Sequence, residues 1–159
     1  MRKLFVLLLA LVLCITPLSG CSAKDATVSH THTDLTICLP STFLDLSEET
    51  FARDYDFLYG LDPITVSGLR DEKARFEAYA PDLDLENYGM LVLQANGVSS
   101  SLYHTDNMLH ATYEADGYIY VVTFWETKDA FWTVQAFCPK EDYQQVSAQI
   151  QQILCSVSV

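Results

Sequence analysis

Basic side chains are what this chain has least of. Of its 159 residues only 9 are Lys or Arg, against 21 Asp and Glu, and the formal net charge is -12 at pH 7. Nucleic acid is therefore not an expected partner, because phosphate recognition needs concentrated Lys and Arg and the few present are scattered. There is no Gly-rich phosphate loop and no Gly-x-Ser-x-Gly nucleophile elbow; Ser99, Ser100 and Ser101 follow Gly97 without one, and no His or Asp stands where it would couple to them. Internal repeats are absent. The longest apolar run, Leu4 to Ile15, falls short of the roughly 20 residues that a membrane-spanning helix needs. What these absences leave is a soluble acidic surface and no ready-made catalytic motif.

That apolar run is nevertheless informative. Arg2 and Lys3 precede it, and it ends in Thr16-Pro17-Leu18-Ser19-Gly20-Cys21, the pattern of a secretory signal. The segment Leu18-Ser19-Gly20-Cys21 resembles the lipobox of bacterial lipoproteins, which implies that residues 1–20 are a signal peptide and that Cys21 carries a diacylglyceryl group. Each buried acyl CH2 adds about 0.8 kcal/mol of membrane affinity, so two or three chains would hold the protein firmly at the extracytoplasmic face of the bacterial cell membrane. Without the leader the balance is 7 basic to 21 acidic residues, or -14. Residues 21–34, polar and without periodicity after the Cys, read as a flexible tether, and 35–159 as the folded domain.

Within the domain, Met108–Ala115, Tyr118–Glu126 and Ala130–Cys138 read as an antiparallel meander, with Asp116-Gly117 as its first turn. Both faces of its strands are apolar: Tyr118, Tyr120, Val122 and Phe124 alternate with Ile119, Val121, Thr123 and Trp125. Two apolar faces predict a sheet covered on both sides. Leu35–Leu39, Tyr55–Tyr59 and Ile64–Leu69 are further predicted strands, with one helical turn at 71–76. Asp84 is a predicted N-cap for a helix ending at Asn96-Gly97, with Leu85, Tyr88, Val92 and Ala95 at helical spacing and Leu91 beside them on the sheet-facing side. A second helix is predicted over Glu141–Ile153, striped by Tyr143, Val146, Ile150 and Ile153, followed by a closing strand over Cys155–Val159.

Several groups invite chemical readings. His30 and His32 would share one face of an extended segment, as two metal ligands do, but no third ligand stands nearby. His104 and His110 flank a turn containing Asp106, so a hairpin would bring them close. Asp82, Asp84 and Glu86 alternate, yet lack the Gly and distal Glu of a calcium loop. Cys138 lies at an apolar strand end without a cationic neighbour to activate it. The spacing across the second helix excludes a Cys138–Cys155 disulfide, because about 13 residues at 1.5 Å rise separate the ends by roughly 20 Å. Three buried reduced thiols are the expectation, with Cys38 bonded to one of the others as the alternative. None of these groups amounts to a metal or cofactor site. The segment 41–60 carries Phe51, Tyr55, Phe57 and Tyr59 among acidic neighbours, the make-up of an interface with aromatic anchors, away from the tethered end; the alternative is that these four pack under the sheet.

The order of elements, with Ile37-Cys38-Leu39-Pro40, Val66-Ser67-Gly68-Leu69-Arg70-Asp71-Glu72, Ala130-Phe131-Trp132, Ala136-Phe137-Cys138 and Ile153-Leu154-Cys155-Ser156-Val157, resembles the PsbP-like fold. That fold is shared by the photosystem II extrinsic subunit, a Ran-binding nucleotide-release factor and small bacterial DcrB-like lipoproteins. The resemblance implies an α+β domain, an α/β/α sandwich whose central antiparallel sheet is covered by helices on both faces, usually without catalysis of its own. The expected function is a membrane-anchored binding or assembly accessory with an extracytoplasmic protein partner; the alternative is a surface lipoprotein that binds a small ligand or a metal.

Overall fold

The computed structural model describes residues 26–49, 52, 54–105 and 108–159. Residues 1–25, with the leader and Cys21, lie outside the described residues, as do Phe51 and Asp106. The elements in chain order are β1 (Thr27–His32), β2 (Leu35–Pro40), β3 (Leu44–Asp45), β4 (Phe57–Leu61), β5 (Ile64–Glu72), α1 (Leu85–Ala95), β6 (Tyr103–Thr105), β7 (Met108–Ala115), β8 (Tyr118–Glu126), β9 (Ala130–Pro139) and α2 (Tyr143–Cys155). Seven strands form one antiparallel sheet in the order β3-β4-β5-β9-β8-β7-β6, and β1 and β2 form a separate hairpin.

The predicted meander is β7, β8 and β9, with β9 in the centre of the sheet. Gly117 (φ 82°) and Asp116 (φ 51°) adopt the left-handed backbone that joins β7 tightly to β8. The alternation along β8 and β9 sends side chains into two separate cores. On one face Val121, Trp132, Val134, Ala136 and Cys138 pack under α2 through Ile150, Ile153 and Leu154, and under the hairpin through Leu35, Ile37 and Leu39. On the other, Leu109, Ala111, Val122, Phe124 and Phe131 pack under α1 through Tyr88 and Leu93. The sheet is thus covered on both sides in an α+β sandwich, as its two apolar faces require.

Several boundaries differ from the sequence expectation. Thr27–His32, within the expected tether, is a strand paired along its whole length with β2, Thr27 opposite Pro40 and His32 opposite Leu35. Its composition alternates too weakly to announce a strand, and only the partner makes it one. Asp71 and Glu72 extend β5 rather than starting a helical turn, and a 3-10 turn follows at Lys73–Arg75. Asp84 does cap α1, accepting from the Asn87 amide at 2.8 Å, but the buried stripe is Tyr88, Gly89 and Leu93, while Leu91 is exposed. Cys155 ends α2, and of the expected closing strand there remains one bridge, Ser158 to Thr36.

Candidate functional site

Cross-strand register arranges the α1-side face in rows. Leu109, Phe124, Thr133 and Leu69 form one row; Ala111, Val122, Gln135, Ser67 and Leu58 the next; Tyr113, Tyr120, Phe137 and Thr65 the one beyond. Helix α1 has 11 residues, about 16 Å of length, whereas a nine-residue strand such as β8 runs about 30 Å. The helix therefore covers the first row and part of the second, and the aromatic row lies beyond its end. Its rings pack on one another: Tyr113 stacks on Tyr120 with centroids 5.0 Å apart, and Tyr120 on Phe137 at 5.0 Å. Tyr118, 40% exposed, extends this cluster towards the sheet end. Because the ring faces are spent on each other, the surface presents ring edges and hydroxyls, which suits a flat contact better than a sugar-stacking platform.

Where this row meets α1 there is a cleft of about 130 Å³. Its floor is Ser67, Thr133, Gln135 and Val122; one wall is the last turn of α1 with Val92, Leu93 and Asn96; Tyr55 and Tyr113 close the other sides. The floor is polar but satisfied: the Gln135 amide donates to Ser67 Oγ at 3.1 Å, and Thr133 Oγ1 lies 2.9 Å from the Tyr88 hydroxyl. Tyr88 is fully buried, stacks on Phe131 and donates to Asp71 at 2.9 Å, so α1 is fixed over the floor by one phenol. Burial, and with it the adjacent Asp71 carboxylate, pushes the Tyr88 pKa well above the ordinary tyrosine value. Burial first, then the phenols of Tyr120 and Tyr55, raises Tyr113 as well. Both hydroxyls therefore stay protonated. No charged side chain lines the cleft, which has room for one partner side chain or a small polar molecule.

Of the four aromatics expected to anchor a partner, Phe57 and Tyr59 are core residues, 2% and 4% exposed. Both lie on the face of β4 that packs against α2 and the hairpin, and they cannot serve as surface anchors. Tyr55 precedes the strand and stays at the surface on the cleft rim. Phe51 lies outside the described residues.

His30 and His32 do share a face of β1, but they cover those buried rings: His32 stacks on Phe57 at 4.5 Å and its Nε2 shares a hydrogen bond with the Tyr59 hydroxyl at 3.2 Å, and His30 lies 4.6 Å from Tyr59. Burial, and after it the imidazole of His30, lowers the His32 pKa against the pull of Asp45 and Asp56. His104 and His110 do not meet. His104 sits opposite Leu109 and reaches Glu86 at 3.8 Å, while His110 sits opposite Tyr103 and Thr123 on the other face. Among the described residues no group of three His, Cys, Asp or Glu side chains is placed to hold a metal ion. The thiols are free and not all buried: Cys138 is enclosed, Cys38 half-buried and Cys155 exposed at the end of α2. Burial first, then Asp142, raises the Cys138 pKa, the opposite of what a nucleophilic thiol needs.

One hub escaped sequence reading altogether. Asp34, expected in the tether, accepts from Trp132 Nε1 at 2.7 Å, Thr127 Oγ1 at 2.7 Å and Arg70 Nε at 3.3 Å. Burial opposes its ionisation, but these three donors outweigh it and lower the pKa from 3.8 to about 2. Nothing local to Asp34 signals this role, because its donors are 36 to 98 residues away.

No protein-family model matches the chain. No curated protein matches it in sequence. Solved structures do match. The solution structure of cyanobacterial PsbP (CyanoP) from Synechocystis sp. PCC 6803 superposes with a TM-score of 0.58 at 10% identity, over 90% of this chain and 99% of that one. A point mutant of the protein Mog1 superposes with a TM-score of 0.51 at 14% identity, over 86% and 96%. The fold is thus PsbP-like, and at these identities the likeness speaks for the fold alone.

Proposed function

We propose that this chain is an extracytoplasmic lipoprotein anchored through Cys21, and that its PsbP-like domain is a non-catalytic binding or assembly module which receives a protein partner on the α1-side sheet face. The observation that carries the reading is the aromatic row Tyr113, Tyr120 and Phe137, with Tyr118 beyond it, left open by a helix too short to cover the sheet. Aromatic edges beside a pocket the size of a side chain are the arrangement that interface anchors use. The lipobox-like Leu18-Ser19-Gly20-Cys21 supports the anchoring. A photo-crosslinking amino acid in place of Tyr118 on intact cells should capture a discrete partner, while the same probe at Gln144 on the outer side of α2 should not. Equal labelling from both positions, or none from Tyr118, would sink the assignment of this face.

The cleft beside the row supports a second reading, a small neutral polar ligand held by Gln135, Ser67 and the Tyr113 hydroxyl. In that case Gln135→Leu abolishes ligand-induced thermal stabilisation and leaves crosslinking from Tyr118 unchanged.

A further inference from the structure

Strand β1 has one partner. Among the described residues it pairs with β2 alone, and the phase of that pairing is fixed at both sides of the hairpin. Ser41 donates to the Ala26 carbonyl, so within β1 the residues 28, 30 and 32 direct their amides and carbonyls at β2. On the far side of β2, Thr36 exchanges both backbone bonds with Ser158, and Cys38 is satisfied through Ser156 Oγ at its amide and its carbonyl. By the same alternation Thr27, Ser29 and Thr31 point their N–H and C=O groups outward, and all three are exposed. The hairpin therefore has one closed edge and one open one.

Natural sheets blunt an open edge with charge, proline or a bulge. Thr27–Thr33 contains no charged residue and no proline, and its pairing with β2 is unbroken. This is exceptional on an acidic molecule. Helix α2 on the other flank of the hairpin carries no charge either, and the hairpin's one carboxylate, Asp34 in its turn, is paired with Arg70, so the hairpin and α2 form a layer with almost no free charge on a chain of net charge -12. Any face that two copies of this chain share must hold few carboxylates, and this layer meets that requirement.

We infer that the outer edge of β1 is a strand-addition site for a second copy of this chain, giving a closed two-fold dimer through an antiparallel β1–β1 ladder. With Ser29 on the two-fold axis, Thr27 of one copy faces Thr31 of the other, and each of these residues exchanges its outward bonds. In that register His30 meets Val28 of the other copy, so no imidazole faces its like. The assembly stops at two, because the far edge of β2 is occupied by Ser156 and Ser158 and offers no further pairing. The dimer leaves the α1-side aromatic face free and does not depend on lipid at Cys21.

Sedimentation of the full chain in detergent tests this. The wild type is expected to sediment as a dimer that dissociates on dilution. Ser29→Pro removes the central outward amide and no bond to β2, and should weaken association by at least about tenfold. Hydrogen exchange supplies a second readout that needs no variant: protection of the Ser29 and Thr31 amides should rise with protein concentration together with the mass. A monomer at every concentration, a dimer indifferent to Ser29→Pro, or protection of 27–33 without doubling of mass, as another occupant of the edge would give, overturns the proposal. The Cys21→Ala chain should still dimerise, so a failure of anchoring is read separately, in membrane fractionation.

Discussion

At the scale of single residues, Asp34 is where a small change should be felt furthest. Its carboxylate joins the hairpin turn to β5, to β9 and to the turn after β8, and it does so next to Thr33, a β-branched residue held at φ 53°. Between the ordinary pKa of 3.8 and about 2 the unfolded carboxyl binds a proton that the folded one refuses. The stability this group contributes is therefore complete above about pH 4 and is lost as the pH falls through about 2. Its side chain is 32% exposed, so solvent screening reduces the contribution to about 1–2 kcal/mol. Asp34→Asn should lower unfolding stability at pH 7 by that amount and should flatten the acid limb; a urea midpoint identical to wild type at pH 7 would contradict the hub. Gly68 is a second such residue. A Cβ there would lie 2.1 Å from the Phe57 ring, which packs flat against the strand at that point. Gly68→Ala should destabilise by about 1–3 kcal/mol through overpacking, measurable in the same urea titration.

At the scale of elements, the hairpin is the part whose attachment should respond to mild acid. His32 stacks on Phe57 and shares a hydrogen bond with the Tyr59 hydroxyl, and burial lowers its pKa from 6.5. A base that is harder to protonate when folded makes the folded state bind fewer protons, so its contribution is present above pH 6.5 and falls as the pH drops through the lower folded value. The groups facing it are His30, which adds to the effect, and Asp45 and Asp56, which oppose it. Between pH 7.5 and pH 5.5 the denaturant midpoint should fall, and the fall should shrink in His32→Phe, which keeps the stacking and removes the titration. An unaltered slope in that variant would locate the pH dependence elsewhere. Helix α1 makes a different point: its N-cap, length and stop were all readable from Asp84, Glu86 and Asn96-Gly97, as was the burial of Tyr88, but not that of Gly89 and Leu93. Leu91 follows the periodicity and lies exposed, because α1 meets a flat sheet through Tyr88 and Leu93 rather than through its most apolar line.

At the scale of the whole molecule, anchoring is tested by Cys21→Ala, which should move the protein from the membrane fraction to a soluble or unprocessed form; unchanged detergent partitioning would refute it. The layered architecture was legible because β8 and β9 are apolar on both faces, a pattern that only a doubly covered sheet explains. The candidate site was less so. Segment 41–60 is rich in aromatics, and alternation alone does not say whether the face shared by Phe57 and Tyr59 is covered; the hairpin and α2, distant in sequence, cover it, while Tyr55 lies before β4 and stays at the surface. The signal for the open row was present in element lengths, since 11 helical residues cannot span nine strand residues, but it had to be read from two elements at once. Contacts between residues far apart in the chain, such as Asp34 to Trp132, have no local signature. The bridge between Thr36 and Ser158 is another of these, and it bears on how the protein comes into being. A polypeptide made from its N-terminus onward offers β2 first and the segment that closes it 118 to 122 positions later. Until then both edges of the hairpin are open, so a chain that has not yet placed residues 156–158 can add a foreign strand on either side. Removing residues 156–159 leaves that edge open for good, so the shortened chain should aggregate more readily than the one that keeps them, measured by light scattering at equal concentration.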